Sequence, residues 1–193
     1  MEEISKIDKI LTIILLIAII TSIVTLIYII ITPKQSERFT EFCILGPNGK
    51  AADYPTKLRV GQNATIIIGI VNHEGRTVNY TVEIWLVNAT YKDNRTVIHH
   101  MYFLDRFNVT LNSTPINIEG NWTPQWERRY TFSIDRPRVY KMWFLLFKDH
   151  LPPLLSKPEK MKDYAGTKAE KRILDAIEGK IQSLNLNIVV REI

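Results

Sequence analysis

The sequence has few of the residues that carry out catalysis or that cross-link a protein. Cys43 is the one cysteine among 193 residues, so an internal disulfide is excluded. The four histidines form no His-Glu-x-x-His pattern, and His99 and His100 would point to opposite faces of a strand. Nucleophile-elbow, phosphate-loop and dinucleotide patterns are also missing. We therefore predict no catalysis, no cofactor and no metal site.

Cys43 itself lies inside the apolar run Phe-Thr-Glu-Phe-Cys-Ile-Leu. A cysteine in such a run is most simply a small buried apolar residue. Pairing between two chains, or a reactive thiol, is the alternative interpretation.

Charge is absent from residues 10–31, a run composed almost entirely of isoleucine, leucine and threonine. As a helix this run would reach about 33 Å, the thickness of the hydrocarbon core of a bilayer. A cleaved signal peptide would have a shorter apolar region that ends in small residues, and neither feature is present. We predict a cytoplasmic tail at residues 1–9, a transmembrane helix at 10–32 and a linker at 33–38.

Flanking charges do not orient this helix, because Lys6 and Lys9 are matched by Lys34 and Arg38. Glycosylation patterns do orient the helix. Asn-x-Thr sequons occur only after it, and sugar is attached to them only on the exported side of the membrane. A single sequon could arise by chance in a threonine-rich β domain, but seven together favour an extracellular C-terminal domain. The predicted glycosylation sites are Asn63, Asn79, Asn88, Asn94, Asn108, Asn112 and Asn121. Proline follows the threonine after Asn112 and Asn121, so we expect lower occupancy there.

The net charge of +5 belongs to this outer domain, because the charges of residues 1–38 cancel. An external location argues against nucleic acid as a partner. Attraction to anionic lipid headgroups or acidic glycans is a more natural use of a basic surface. A mildly basic surface without a partner is the simpler interpretation.

Beyond the helix, apolar residues recur with the period of two that is typical of β-strands. In residues 77–87, Val78, Tyr80 and Val82 alternate with polar residues, which predicts a strand with one buried face. The continuous apolar run 66–71 predicts a central strand. Further strands are predicted at 41–45, 58–60, 64–71, 97–104, 107–111, 129–134, 139–147 and 184–190. Short strands between turn signals predict an all-β fold, an immunoglobulin-like antiparallel β-sandwich at residues 39–193.

Residues 149–180 interrupt this pattern with a loop and a helix. The loop contains three prolines and three apolar residues that we expect to be exposed and available to a partner: Leu151, Leu154 and Leu155. A short amphipathic helix follows at about 167–178, with Thr167 and Glu170 as a capping box. Its apolar stripe of Ala169, Ile173, Ala176 and Ile177 would pack on the domain itself; docking to a membrane or a partner is the alternative.

The segment from Phe39 to Glu74 resembles the archaeal domain-of-unknown-function family sixteen-sixteen. The motifs that carry the resemblance are Phe39 and Phe42, Leu45-Gly46-Pro47, Gly49-Lys50-Ala51, Tyr54-Pro55, Val60-Gly61 and Asn72-His73-Glu74. The resemblance covers roughly residues 39–150 and the terminal strand, and it implies a membrane-attached, external immunoglobulin-like domain with no known catalysis. It supplies no functional residues. The single membrane helix and the 149–180 segment differ from the family pattern.

Gly49 and Gly61 also have a physical interpretation, because glycine permits the positive φ angles that tight turns require. We therefore interpret these motif residues as determinants of the fold and not as a binding site.

Together these features predict an anchored, glycosylated interaction domain of the cell envelope, in contact with the bilayer and with surface-layer proteins or glycans. Such a module would have no deep pocket. Two alternatives are an accessory subunit of a membrane complex and an extracellular ligand-binding domain; a concave pocket with convergent polar groups would favour the latter.

Overall fold

The computed structural model describes residues 2–31, 38–93, 95–116, 123–150 and 159–192. Two compact units divide the chain, Met1–Glu37 and Arg38–Ile193. The first contains helix α1 (Glu2–Ile31), of which Lys9–Ile31 has a mean hydropathy of 3.0 and no buried side chain. This helix is long and apolar enough to cross a membrane, although a signal sequence near the N-terminus would have the same properties.

Three hydroxyl groups within α1, those of Thr21, Ser22 and Thr25, bond to carbonyl groups of the helix itself. Thr21 donates to the Ile17 carbonyl at 2.7 Å, and Ser22 donates to the Ala18 carbonyl at 2.9 Å. Because each hydroxyl bonds to a carbonyl four residues earlier, these polar residues are compatible with an apolar surrounding.

The second unit is a β-sandwich of eight strands in the described residues. A three-stranded sheet has the order β1 (Thr40–Leu45), β3 (Ala64–Asn72), β6 (Trp126–Phe132). A five-stranded sheet has the order β2 (Lys57–Arg59), β8 (Gln182–Arg191), β7 (Val139–Lys148), β4 (Val78–Lys92), β5 (Arg95–Leu111). All neighbours are antiparallel except β2 and β8. The all-β sandwich prediction is confirmed.

The predicted strands differ from the observed ones mainly in β5. Residues 97–104 and 107–111 were expected to be two strands, but they form one continuous strand against β4. The β4–β5 ladder contains two register shifts, one between Ile84 and Trp85 and one between Asn88 and Ala89. Such irregularities of the β-bulge type absorb an extra residue, so the two strands stay paired on both sides of each shift. The central position predicted for residues 66–71 is confirmed, because β3 lies between β1 and β6. Gly49 and Gly61 have φ values of 72° and 73°, as their turns require.

The main core lies between the two sheets. Alternate residues of β4 point into it, and Val78, Tyr80 and Val82 are at most 1% exposed. Ile66, Ile68 and Ile70 of β3 face them, each at 0% exposure. Each fully buried aliphatic side chain contributes about 1.5–3 kcal/mol relative to an exposed one.

The expectation of one buried face on β4 is wrong for the second half of the strand. Trp85 and Val87 point away from the main core, yet they are 1% and 2% exposed. Residues 159–178 return over this outer face and create a second apolar cluster. Its members are Trp85, Val87, Met101, Phe103, Trp143, Leu145, Phe147, Tyr164, Ala169, Ile173 and Ala176. The alternation of apolar and polar residues within β4 cannot predict that its outer face is covered, because the covering residues are distant in sequence.

Residues 161–164 also protect the free edge of β5. The Met161 amide donates to the Phe103 carbonyl at 2.9 Å, and the Tyr164 amide donates to the Met101 carbonyl at 2.7 Å. The Met101 amide in turn donates to the Asp163 carboxylate at 3.0 Å. These bonds occupy backbone groups that an edge strand would otherwise offer to another chain.

Helix α2 (Glu170–Ile177) follows this segment and begins later than predicted. The predicted capping box is displaced: Glu170 accepts a hydrogen bond from the Gly166 amide at 2.5 Å, and Thr167 accepts one from the Ala169 amide at 3.2 Å. Ala169, Ile173 and Ala176 are buried against the sheet, which confirms packing on the domain itself. Ile177 is 44% exposed and does not belong to the buried stripe.

A buried carboxylate links α2 to the sheet. Glu83 is 0% exposed and accepts hydrogen bonds from Arg106 at 2.7 Å and from the Trp85 indole at 3.0 Å. Arg172 of α2 forms an ion pair with the same carboxylate at 3.3 Å and stacks over Phe147. Three elements, β4, β5 and α2, therefore meet at one anionic group.

Cys43 lies on the outer face of the smaller sheet, beside Gly69. A Cβ atom at position 69 would lie 2.7 Å from the Cys43 sulfur and 2.9 Å from the Cβ atom of Pro124. Glycine is thus required there by close packing. Cys43 is half-buried, less completely than we expected, and its burial raises the pKa of the thiol to about 11.

We predict that Glu83→Gln lowers the free energy of unfolding by about 3 kcal/mol, because the buried Arg172 and the partly exposed Arg106 lose their counter-charge. Chemical denaturation of the full chain in detergent, followed by tryptophan fluorescence, measures this value. Glu178→Gln is the matched control, because Glu178 forms a solvent-exposed pair with Lys180 and its loss should leave stability unchanged. Equal effects of both substitutions would contradict the assigned role of Glu83.

We also predict that Cys43 in the folded protein reacts with iodoacetamide at mildly alkaline pH about a hundredfold more slowly than an ordinary thiol, because its raised pKa leaves little thiolate. The unfolded chain in denaturant is the control and should react at the ordinary rate. Mass spectrometry of the alkylated protein over time measures both rates; a fast reaction in the folded state would refute the prediction.

Candidate functional site

The predicted glycosylation sites occupy different environments. Asn79, Asn108 and Asn112 are exposed at one end of the β4–β5 pair, and Asn63 is exposed just before β3. Asn88 is half-buried. Asn94 and Asn121 lie outside the described residues.

Three of these asparagines belong to a polar ladder that crosses from β4 to β5. The Thr110 hydroxyl donates to the Asn79 side-chain oxygen at 2.6 Å, and the Thr81 hydroxyl donates to the Asn108 oxygen at 2.9 Å. Each asparagine thus meets the threonine of the other sequon, because the strands are antiparallel and in register. The Thr77 hydroxyl extends the ladder to Asn112 at 2.9 Å.

This ladder uses the amide oxygens and not the amide nitrogens, to which an N-linked sugar is attached. Asn88 differs from the ladder in this respect. Its side-chain nitrogen donates to the Val139 carbonyl at 2.8 Å, so a sugar there would compete with a hydrogen bond of the folded protein. Sequon spacing gives no indication of this difference.

Several charged and histidine side chains elsewhere in the domain take part in separate local contacts. Asp149 pairs with Arg76 at 2.7 Å, and Asp105 pairs with Lys160 at 3.3 Å. His100 bonds to Asp163 at 2.6 Å. Within the described ranges, no cluster of three or more metal-binding side chains occurs. Leu151, Leu154 and Leu155 lie outside those ranges, so their proposed docking role stays a prediction.

A groove of about 510 Å³ crosses the outer face of the five-stranded sheet. One wall is the part of the β4–β5 hairpin that extends past the end of its pairing with β7 at Val87, and the other wall is α2. Strands β7 and β8 form the floor. The lining residues are Val87, Ala89, Thr90, Tyr91, Thr96, Val139, Tyr140, Lys141, Trp143, Ile173, Ala176, Ile177, Ser183, Asn185 and Asn187.

The floor of this groove places an aromatic ring, amides and one cation side by side. Asn185 lies opposite Trp143 in the β7–β8 ladder, and Asn187 lies opposite Lys141. The Lys141 ammonium lies 5.7 Å from the centroid of the Trp143 ring. The lining includes no carboxylate. The volume is within the range of small-ligand sites, and the polar groups converge from two strands.

Sequence reasoning missed this groove. Its walls come from a hairpin that is longer than expected and from a helix that lies far from it in the chain. A sequence signal was nonetheless present in β8, where Asn185 and Asn187 alternate with the buried Leu186 and Ile188.

A separate polar cluster joins β1, β7 and the turn after β3. Glu74 accepts hydrogen bonds from Lys148 at 2.7 Å and from Thr40 at 2.6 Å, and these bonds lower the pKa of its carboxyl group. The bond from Arg76 likewise lowers the pKa of Asp149. These contacts secure the ends of strands and do not converge on a cavity.

Two packed sheets of mainly antiparallel strands, with a helix laid on the outer face of one, define an immunoglobulin-like β-sandwich. The chain belongs to the family described as a domain of unknown function (DUF1616), whose model matches residues 33–172. The match confirms the resemblance seen in residues 39–74. It also includes most of the 149–180 segment, which the sequence interpretation had treated as a departure from the family.

Solved structures with a similar arrangement are distant in sequence. The CARDB domain of a Pyrococcus furiosus protein, described in complex with di-metal ions, has 10% identity and a TM-score of 0.41, over 80% of this chain and 89% of that domain. A β-glucosidase from Listeria innocua with bound laminaribiose has 12% identity and a TM-score of 0.40, over 81% of this chain and 16% of the enzyme. The sporulation control protein Spo0M from Bacillus subtilis has 9% identity and a TM-score of 0.34, over 81% of this chain and 50% of Spo0M.

These similarities are too distant to bear on function. None of the curated proteins compared with the chain matches its sequence.

We predict that the thermal stability of the protein falls as the pH is lowered from about 6 to about 3, and that Glu74→Gln reduces this dependence. Glu74 and Asp149 have lowered pKa values in the folded state, so their stabilising contribution is present above their ordinary pKa values of 4.5 and 3.8. It is lost as protonation follows at lower pH. Circular dichroism melts of the full chain in detergent measure the effect, with Glu127→Gln as an exposed control. Identical pH profiles for all three proteins would contradict the prediction.

Proposed function

We propose that this protein is a membrane-anchored interaction domain of the cell envelope, exported, N-glycosylated and without catalytic activity. The observation that carries the proposal concerns α1. Its apolar segment, Lys9–Ile31, is long enough to cross a bilayer and has no buried side chain. The other unit of the chain has an apolar core of its own. A helix of this kind needs a bilayer to cover it. We infer that the N-terminus is cytoplasmic and that the sandwich is extracellular.

The asparagine–threonine ladder supports this orientation. Sequons are useful only on the translocated side of a membrane, and the exposed Asn79, Asn108 and Asn112 form a continuous outward face. A glycosylated face would also protect this part of the long β5 edge strand from pairing with other chains.

The groove beside α2 favours ligand binding as the form of this interaction. The expected interaction module had no deep pocket, whereas the domain has a concavity lined by convergent polar and aromatic groups. Of the two alternatives, an extracellular ligand-binding domain is thus better supported than an accessory subunit of a membrane complex. Partners would be envelope glycans or proteins and not nucleic acid.

Protease treatment of whole cells tests the proposal. We expect added protease to degrade residues 38–193 while the short N-terminal tail stays protected, because only the sandwich lies outside. A cytoplasmic enzyme of the same cells is the control for membrane integrity. Mass spectrometry of the native protein should find sugar on Asn79 or Asn108 and none on Asn88. A protected domain with bare asparagines throughout would overturn the proposal.

A further inference from the structure

We propose that the groove between the β4–β5 hairpin and α2 binds an acidic saccharide. This inference rests on the proposed extracellular location, where such polymers occur, and it assigns a ligand class to a specific site.

The groove contains polar side chains that suit a hydroxylated ligand. Asn185 and Asn187 are exposed on the floor, and Thr96 lies on the hairpin wall. Amide and hydroxyl side chains both donate and accept hydrogen bonds, as the hydroxyl groups of a sugar do. A ligand rich in hydroxyl groups can therefore satisfy these residues without ionised partners.

Aromatic side chains line the groove. Tyr91 is 71% exposed on the hairpin wall, and Trp143, which is 7% exposed, lies on the floor between Trp85 and Asn185. A large aromatic side chain offers an apolar surface, and a polar group next to it fixes the orientation of a ligand. A sugar ring matches this pattern, because its C–H face is apolar and its rim is hydroxylated.

The groove also carries a positive charge. Lys141 is the one Lys, Arg, Asp or Glu residue in the lining, and it lies on the floor next to Trp143. At the exposed end of the hairpin, Lys92, Asp93 and Arg95 together add one net positive charge. With no carboxylate in the groove to repel it, an anionic group on the ligand is the complementary partner for Lys141.

Two other occupants fit less well. An extended peptide usually adds to the edge of a sheet through main-chain hydrogen bonds, but Lys141 and Trp143 lie on β7, which is paired on both sides, with β4 and with β8. A lipid acyl chain would cover Lys141, Asn185 and Asn187 without satisfying them, which is costly. A saccharide avoids both difficulties.

Calorimetric titration of the full chain in nanodiscs tests the proposal, with oligogalacturonate as the acidic probe and malto-oligosaccharide of equal length as the neutral probe. We expect the acidic probe to bind about tenfold more tightly. Lys141→Gln should remove this preference, and Tyr91→Ala should weaken binding of both probes several-fold. Lys50→Gln, an exposed lysine in the turn after β1, is the matched control and should bind like the wild type.

Absence of binding to either probe at millimolar concentration would overturn the proposal, as would equal losses from Lys141→Gln and Lys50→Gln, which would indicate non-specific attraction. Unchanged melting temperatures would show that the variants are folded. Failure here leaves the extracellular location intact if the protease experiment succeeds. Failure of the protease experiment removes the proposed function whatever the titration shows.

Discussion

Glu83 is the group on which the organisation of the outer sheet face depends. Its buried carboxylate receives Arg106 from β5 and Arg172 from α2 and accepts the indole hydrogen of Trp85. A carboxylate without solvent is stable only when such partners compensate for lost hydration. The ion pair alone adds little stability, but it fixes where α2 can lie, because any other position would leave buried charges uncompensated. The apolar contacts of Ile173 and Ala176 then supply the favourable burial.

Placement of α2 has consequences beyond stability. The helix covers Trp85, Leu145 and Phe147 but leaves the sheet open beyond Trp143, where the floor becomes polar. The β4–β5 hairpin continues past the last β7 pair and faces the helix across this open region. The groove lies between these two elements, the helix and the hairpin, which extend over the same sheet from different directions. It contains aromatic, amide and cationic groups together because it lies where the covered part of the sheet face meets the uncovered part.

With a single cysteine, the domain has no internal disulfide and depends on packing for its stability. The sandwich achieves this with two apolar clusters on opposite faces of the five-stranded sheet, so that β4 and β7 are covered on both sides. Close contacts such as those at Gly69, between Cys43 and Pro124, indicate how densely the smaller sheet is covered as well. Residues 161–164 and the asparagine–threonine ladder occupy much of the long β5 strand, whose edge would otherwise favour association with other chains.

The sequence by itself determined the features that depend on local order. The apolar helix, the strands of period two, the position of β3 and the positive-φ glycines were all predicted, because each follows from the spacing of a few adjacent residues. The tertiary structure alone decided the second cluster, the half-covered outer face and the groove. Glu83 and Arg172 are far apart in sequence, and nothing in the local pattern of either residue indicates that they share one buried ion pair. Their meeting depends on the path of the chain across the sheet, and so does the groove that this path creates.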